Sequence, residues 1–134
     1  PSNNDENFKR IRVRNFLEKE GLDKKKFLLT INNLKDADNS IKFYIKRNIE
    51  KNTFFNNKKD SVILNNDFFY QSHEVLFRSL SEMIKMIGKK YYPSRGKSIE
   101  QLILMINSNS FKKVTLGGCL IEKANQSVLI SKEN

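Results

Sequence analysis

Two groups of cations carry the residue types and spacings in this chain that could do chemistry. Arg10 and Arg14 stand four apart, so on a helix they share a face and can grip two phosphate oxygens, or one phosphate and one carboxylate. A solvated basic helix has the same spacing. The second group runs from Lys85 to Lys97, with five basic residues, no acidic one, and Tyr91 and Tyr92 interleaved. Within it Lys89, Lys90, Arg95 and Lys97 surround Tyr91-Tyr-Pro-Ser94. Long basic side chains position RNA through its phosphates without reading sequence, while a Tyr stacks on an exposed base or ribose. The alternative is an exposed loop whose Tyr rings are half buried.

Other chemistries find fewer residues. His73 is the single histidine, so the chain offers neither a histidine-based metal cluster nor a Ser-His triad. It reads as a first-turn surface residue. Cys119, the one cysteine, has no partner for an intramolecular disulfide. Beside Gly118 in a strand candidate, it reads as packed core rather than nucleophile. Gly117-Gly118 precedes no helix, which argues against a phosphate-cradling loop. Arg78, at the end of His73-Glu-Val-Leu-Phe-Arg78 in an otherwise apolar helix, reads as an anchor to a buried carbonyl or carboxylate.

These residues need elements to position them. Phe8 to Glu18 is ambiguous, because Arg10 to Arg14 alternates like a strand while Phe8, Ile11 and Asn15 follow a helical row. Gly21 ends it. Asp23 is a suitable N-cap for a long helix reaching about Glu50, with Phe27, Ile31, Leu34, Ile41 and Ile45 along one face. Asp38 and Asn39 interrupt that stripe. The polar run 52–60 reads as a boundary, despite Phe54 and Phe55. Ser61-Val-Ile-Leu64 is a strand candidate, followed by turn residues Asn65-Asn66-Asp67.

Ser72 can cap a helix carrying Val75, Leu76, Leu80, Met83, Ile84 and Ile87, with Gly88 as its stop. After Pro93, Ser94 or Ser98 can cap another, and Ser98-Ile-Glu-Gln101 fits a capping box ahead of Leu102, Ile103 and Ile106. Val114-Thr-Leu116, Cys119 to Lys123 and Ser127 to Ser131 are three short strand candidates, with a tight turn or bulge at Gly117-Gly118. The expected class is α+β: mostly helical, with a long arm helix and then a small helical domain carrying a short antiparallel sheet or hairpin at its C-terminus. The expected division is an arm over 1–58 and a domain over 59–134.

Composition sets wider bounds. A chain of 134 residues supports one modest domain, or a small domain plus an extended arm. The formal charge of +10 suits a polyanionic partner. Yet Lys outnumbers Arg by 19 to 6 and Asn is abundant, a bias that an AT-rich genome produces without any binding function. No apolar run approaches the roughly 18 residues needed to cross a bilayer, and the N-terminus lacks the apolar stretch of a signal peptide. The expectation is a cytoplasmic protein without membrane contact; a homodimer is compatible with the sequence.

The order of these motifs resembles the post-catalytic part of bacterial tRNA(Ile)-lysidine synthetases. Pro1-Ser-Asn3 leads into the Arg10-x-x-x-Arg14 segment, Arg78 and Pro93 to Arg95 match family positions, and Thr115-Leu-Gly-Gly118 opens the terminal hairpin. The segment matching Arg10 to Arg14 is helical in that family, which favours the helix there. The usual Asn after the first Arg is Ile11 here, so that side chain's role is not carried over. Arg12 is an additional cation.

The resemblance implies a fragment that helps bind and position tRNA(Ile) with a CAU anticodon, while another domain converts the wobble cytidine to lysidine. That conversion uses ATP, Mg and L-lysine. The family's Ser-Gly-Gly-x-Asp-Ser nucleotide signature is absent, so the chain alone is expected to be inactive, with no catalytic residue, cofactor or metal of its own. Asn3, Arg10, Arg12 and Arg14 would lie near tRNA or the active site. Lys89, Lys90, Tyr91, Arg95 and Lys97 would meet the tRNA backbone, and Arg78, Pro93, Gly117 and Gly118 would be structural. Two other readings stay open: a free-standing basic RNA- or DNA-binding module, and a helical protein-interaction domain.

Overall fold

The computed structural model describes residues 9–12, 14, 15 and 23–133. Pro1-Ser-Asn3, Phe8 and the Gly21 stop lie outside the described residues. The chain divides into two compact units, Pro1–Ser40 and Ile41–Asn134. Residues 9–12, 14 and 15 are helical and exposed. Helix α1 (Lys24–Asn52) runs through the division, and the Asp23 carboxylate caps it by accepting the Lys25 N–H at 2.9 Å.

The division falls earlier than residue 58 because the last turns of α1 are built into the second unit. Asn48 is buried and its side-chain amide donates to the Phe68 carbonyl at 3.3 Å. Asn52 donates to Asn48 Oδ1 at 2.8 Å and accepts from Asn65 Nδ2 at 3.3 Å. Asn65 in turn caps the 3-10 turn Asn66–Phe69, its Oδ1 accepting the Phe68 N–H at 3.0 Å. This chain of carboxamides, each both donor and acceptor, fixes the helix end to the turn.

Beyond α1 the fold is α+β. Strands β1 (Thr53–Phe55), β2 (Ser61–Leu64), β3 (Lys113–Leu116), β4 (Cys119–Ala124) and β5 (Ser127–Lys132) form one antiparallel sheet in the order β1-β2-β5-β4-β3. The strand β1 falls in the run read from sequence as a boundary; Phe55 pairs with Val62, and the run's apolar residues join the sheet. Register places Phe55, Val62, Ile130, Ile121 and Val114 in one row across the sheet. The three central residues of that row are fully buried. Burying each side chain of this size contributes about 1.5–3 kcal/mol, so the row selects this register over a one-residue slip that would expose it.

Helices α2 (His73–Gly88) and α3 (Gly96–Ile106) cover the sheet's inner face. Leu76, Leu80, Met83, Ile84 and Ile87 recur at helical spacing on α2 and enter the same core as Ile99, Leu102, Ile103 and Ile106 of α3. Three capping expectations are corrected. Ser72 holds the cap position of α2 through its backbone, but its hydroxyl makes no cap bond. Gly88 is the last residue of that helix, and the left-handed residue after it is Lys89, at φ 53. The helix α3 begins at Gly96 with Arg95 in the cap position, so Ser98 lies inside its first turn and forms no capping box. The Arg95 carbonyl accepts the Ser98 and Ile99 N–H groups at 3.0 and 3.2 Å, starting the helix a turn before the buried Ile99.

Among the described residues, no helix is long and apolar enough to cross a membrane.

Candidate nucleic-acid interface

The connection between α2 and α3, continued into the first turn of α3, holds Lys89, Lys90, Arg95 and Lys97 of the second cation group, and two glycines fix its path. Helix α2 ends in crossed backbone bonds, with the Lys89 N–H donating to the Met86 carbonyl at 3.3 Å and the Lys90 N–H to the Lys85 carbonyl at 3.1 Å. Gly117 and Gly118 form the turn between β3 and β4, at φ 62 and 79, where glycine is free of the Cβ penalty. This hairpin tip packs on the end of α2. A Cβ on Gly117 would lie 2.7 Å from both Ile84 Cγ2 and Ser94 Oγ, and one on Gly118 would lie 3.0 Å from Lys90 Cε.

The glycine tip is therefore a template over which the loop from Lys89 to Arg95 is laid. The cations Lys89, Lys90, Arg95 and Lys97 are exposed, as is Pro93. Tyr91 and Tyr92 are 84% and 76% exposed, so the half-buried alternative for these rings does not hold. They meet edge to face, with centroids 4.9 Å apart, which leaves ring faces open for stacking. The start of α3 continues the loop with no acidic residue in its first turn, adding the partial positive charge of a helix N-terminus. Glu133 is tied to the tip, its backbone N–H donating to the Gly118 carbonyl at 2.9 Å.

Cys119 follows the tip and is fully buried, its Sγ donating to the Ile84 carbonyl at 3.3 Å. Burial pushes its thiol pKa up from 9.0 to about 11 against the opposing pull of Lys90, with a smaller upward push from Glu133. The group is a protonated core thiol at neutral pH, not an activated nucleophile.

The remaining singled-out residues fall elsewhere. Arg78 Nε donates to Glu74 Oε1 at 2.7 Å one turn back on α2, and that carboxylate is half exposed rather than buried. His73 is exposed in the first turn of α2 and joins the two domain helices, its Nε2 lying 2.7 Å from Glu100 Oε1. Arg10, Arg12 and Arg14 are helical and exposed in the first unit, and Asn3 lies outside the described residues. The glycine pair closes a hairpin, and no group of three or more His, Cys, Asp or Glu gathers among the described residues.

The sequence reading missed the role of Gly88 and of Ser94, both placed against Gly117. The glycine at the end of an amphipathic helix was a visible signal, but its use in close approach required knowing what lies beside it. No protein-family profile, curated protein or solved structure matches the chain.

Proposed function

We propose that this chain is an RNA-handling module, with the loop from Lys89 to Lys97 as the surface that meets the tRNA backbone. The observation carrying this reading is a run of four exposed cations and two exposed tyrosines, with no acidic residue in the run, set over a glycine hairpin tip. Cations contribute affinity by releasing counterions from phosphates, and the Tyr rings add stacking. A loop held in place loses less freedom on binding than a mobile one.

Charge distribution supports the same reading. Residues 41–134 contain sixteen Lys and Arg against eight Asp and Glu, so the second unit carries most of the net charge of +10. The motif order resembles the post-catalytic part of tRNA(Ile)-lysidine synthetases. In that reading the module holds tRNA(Ile) while a separate ATP- and Mg-dependent domain joins lysine to the wobble cytidine. Such positioning raises the rate of chemistry done elsewhere by fixing the reacting groups in register. Arg10 and Arg14 would serve the same RNA from the arm.

The test is a loop variant, Lys89→Gln/Lys90→Gln/Arg95→Gln/Lys97→Gln, titrated with a tRNA transcript. The reading predicts a loss of at least tenfold in affinity at 0.1 M salt, with an unchanged circular dichroism spectrum. Unchanged affinity in a folded variant contradicts it. A second reading, protein interaction through α1, draws on the exposure of Leu28, Leu29, Leu34 and Phe43. It predicts that the loop variant leaves partner binding intact.

A further inference from the structure

A second surface forms at the opposite end of β4 from the Gly117–Gly118 turn. The 3-10 turn Asn66–Phe69 and the following Tyr70 and Gln71 stand between two clefts, both within the second unit. One cleft, of about 290 Å³, is lined by Phe69, Ile106 and Val128 together with Asn66, Asn107, Asn125 and Gln126. Tyr70 lines it and is 74% exposed. The other, of about 320 Å³, brings Tyr44, Arg47 and Lys51 of α1 beside Asp67 and Gln71.

The two clefts offer complementary chemistry. A nucleobase presents a flat apolar face and an edge of mixed donors and acceptors; carboxamides supply both in return, and an aromatic ring supplies the stack. Four carboxamide residues line the first cleft together with Phe69, Ile106, Val128 and the cation Lys123. Arg47 and Lys51, four apart on α1, supply charge for a phosphate in the second. The turn between them is preset by the Asn48, Asn52 and Asn65 bonds, so Tyr70 is carried on an ordered support.

We propose that a single-stranded RNA segment crosses this turn, with one unpaired base in the amide cleft against Tyr70 and an adjoining phosphate on Arg47 and Lys51. This goes beyond the basic loop: it assigns a separate site for a single strand, and it shares with the loop only the choice of RNA as ligand.

The probe is a single-stranded RNA hexanucleotide of mixed sequence, titrated into the 15N-labelled full chain alongside an RNA duplex. The side-chain amide resonances of Asn66, Asn107, Asn125 and Gln126 are expected to shift with the single strand and not with the duplex. Tyr70→Ala is expected to weaken that binding about tenfold, and Tyr91→Ala/Tyr92→Ala to leave the amide shifts unchanged. Since Tyr70 is exposed, its loss should leave the backbone amide spectrum that of a folded chain. Shifts confined to Lys89–Lys97 overturn this site while leaving the loop reading intact. Tight tRNA binding by the chain with no hexanucleotide shifts at the cleft overturns it as well.

Discussion

Gly88 and Gly117 meet backbone to backbone: a Cβ on Gly88 would lie 2.1 Å from the Gly117 carbonyl oxygen and 3.3 Å from Cys119 Sγ. The contact sets where helix α2 stops against the hairpin tip, and hence where the basic loop begins. Two effects compete in Gly88→Ala. Helix propensity favours Ala by about 1 kcal/mol, whereas forcing a methyl against a carbonyl costs about 1–3 kcal/mol or more. Because the 2.1 Å approach is to backbone that cannot swing aside, the steric cost should win, giving a net loss of up to about 2 kcal/mol in urea unfolding. A stabilised Gly88→Ala protein would mean that the two backbones are not in contact.

Lys89 adopts a left-handed conformation, at φ 53 and ψ 41, where glycine is the common residue. Lys89→Gly should therefore raise stability by about 1 kcal/mol through relief of the Cβ clash. If the ammonium also meets RNA, the same change should lower the log-log salt slope of binding by about 0.9. Thermal unfolding and a salt titration on one protein sample read the two effects independently.

Asn48 is 2% exposed and serves two partners at once, the Phe68 carbonyl and the Asn52 side chain. Asn48→Ala removes both bonds and leaves the Phe68 carbonyl without its donor, at a cost of about 2 kcal/mol. Hydrogen exchange should locate the damage at the 3-10 turn, not at the Gly117–Gly118 tip. An undiminished unfolding midpoint would show that the carboxamide chain adds no stability.

The Cys119 thiol is held at a pKa of about 11, above its ordinary 9.0, so the folded state keeps its proton longer than the unfolded state. Its contribution is present below pH 9 and is lost as pH rises through 11. Cys119→Ala should flatten the part of the stability curve between those two values relative to wild type. At neutral pH the native thiol should react slowly with a disulfide reagent and quickly in urea. Equal reaction rates in both states would contradict its burial.

Period and punctuation made much of the fold legible. The short apolar runs in Ser61–Leu64 and Ser127–Ser131, set beside turn residues, and the helical stripe of Val75 to Ile87 each read directly as the element observed. The strand β1 was hidden because three residues are too few for periodicity to register, and its assignment depends on pairing with β2. The start of α3 was misplaced because Ser98 has the right residue type for a cap, but burial of Ile99 brings the preceding turn into the helix. The basic loop was visible as a charge run. Its support was not, since Gly88, Ser94 and Gly117 are distant in sequence and are joined only by packing.

The central claim is that the loop from Lys89 to Lys97 meets tRNA. Its most direct measurement is binding of the full chain to an unmodified tRNA(Ile) transcript with a CAU anticodon, compared with elongator tRNA(Met) and duplex DNA over a salt series. The account predicts a preference for tRNA over DNA and a log-log slope of several units, reduced in the Lys89→Gln/Lys90→Gln/Arg95→Gln/Lys97→Gln variant, because each phosphate neutralised contributes about 0.7–0.9 to that slope. Absent binding, or weak binding indifferent to nucleic-acid type and to the loop substitutions, would contradict it.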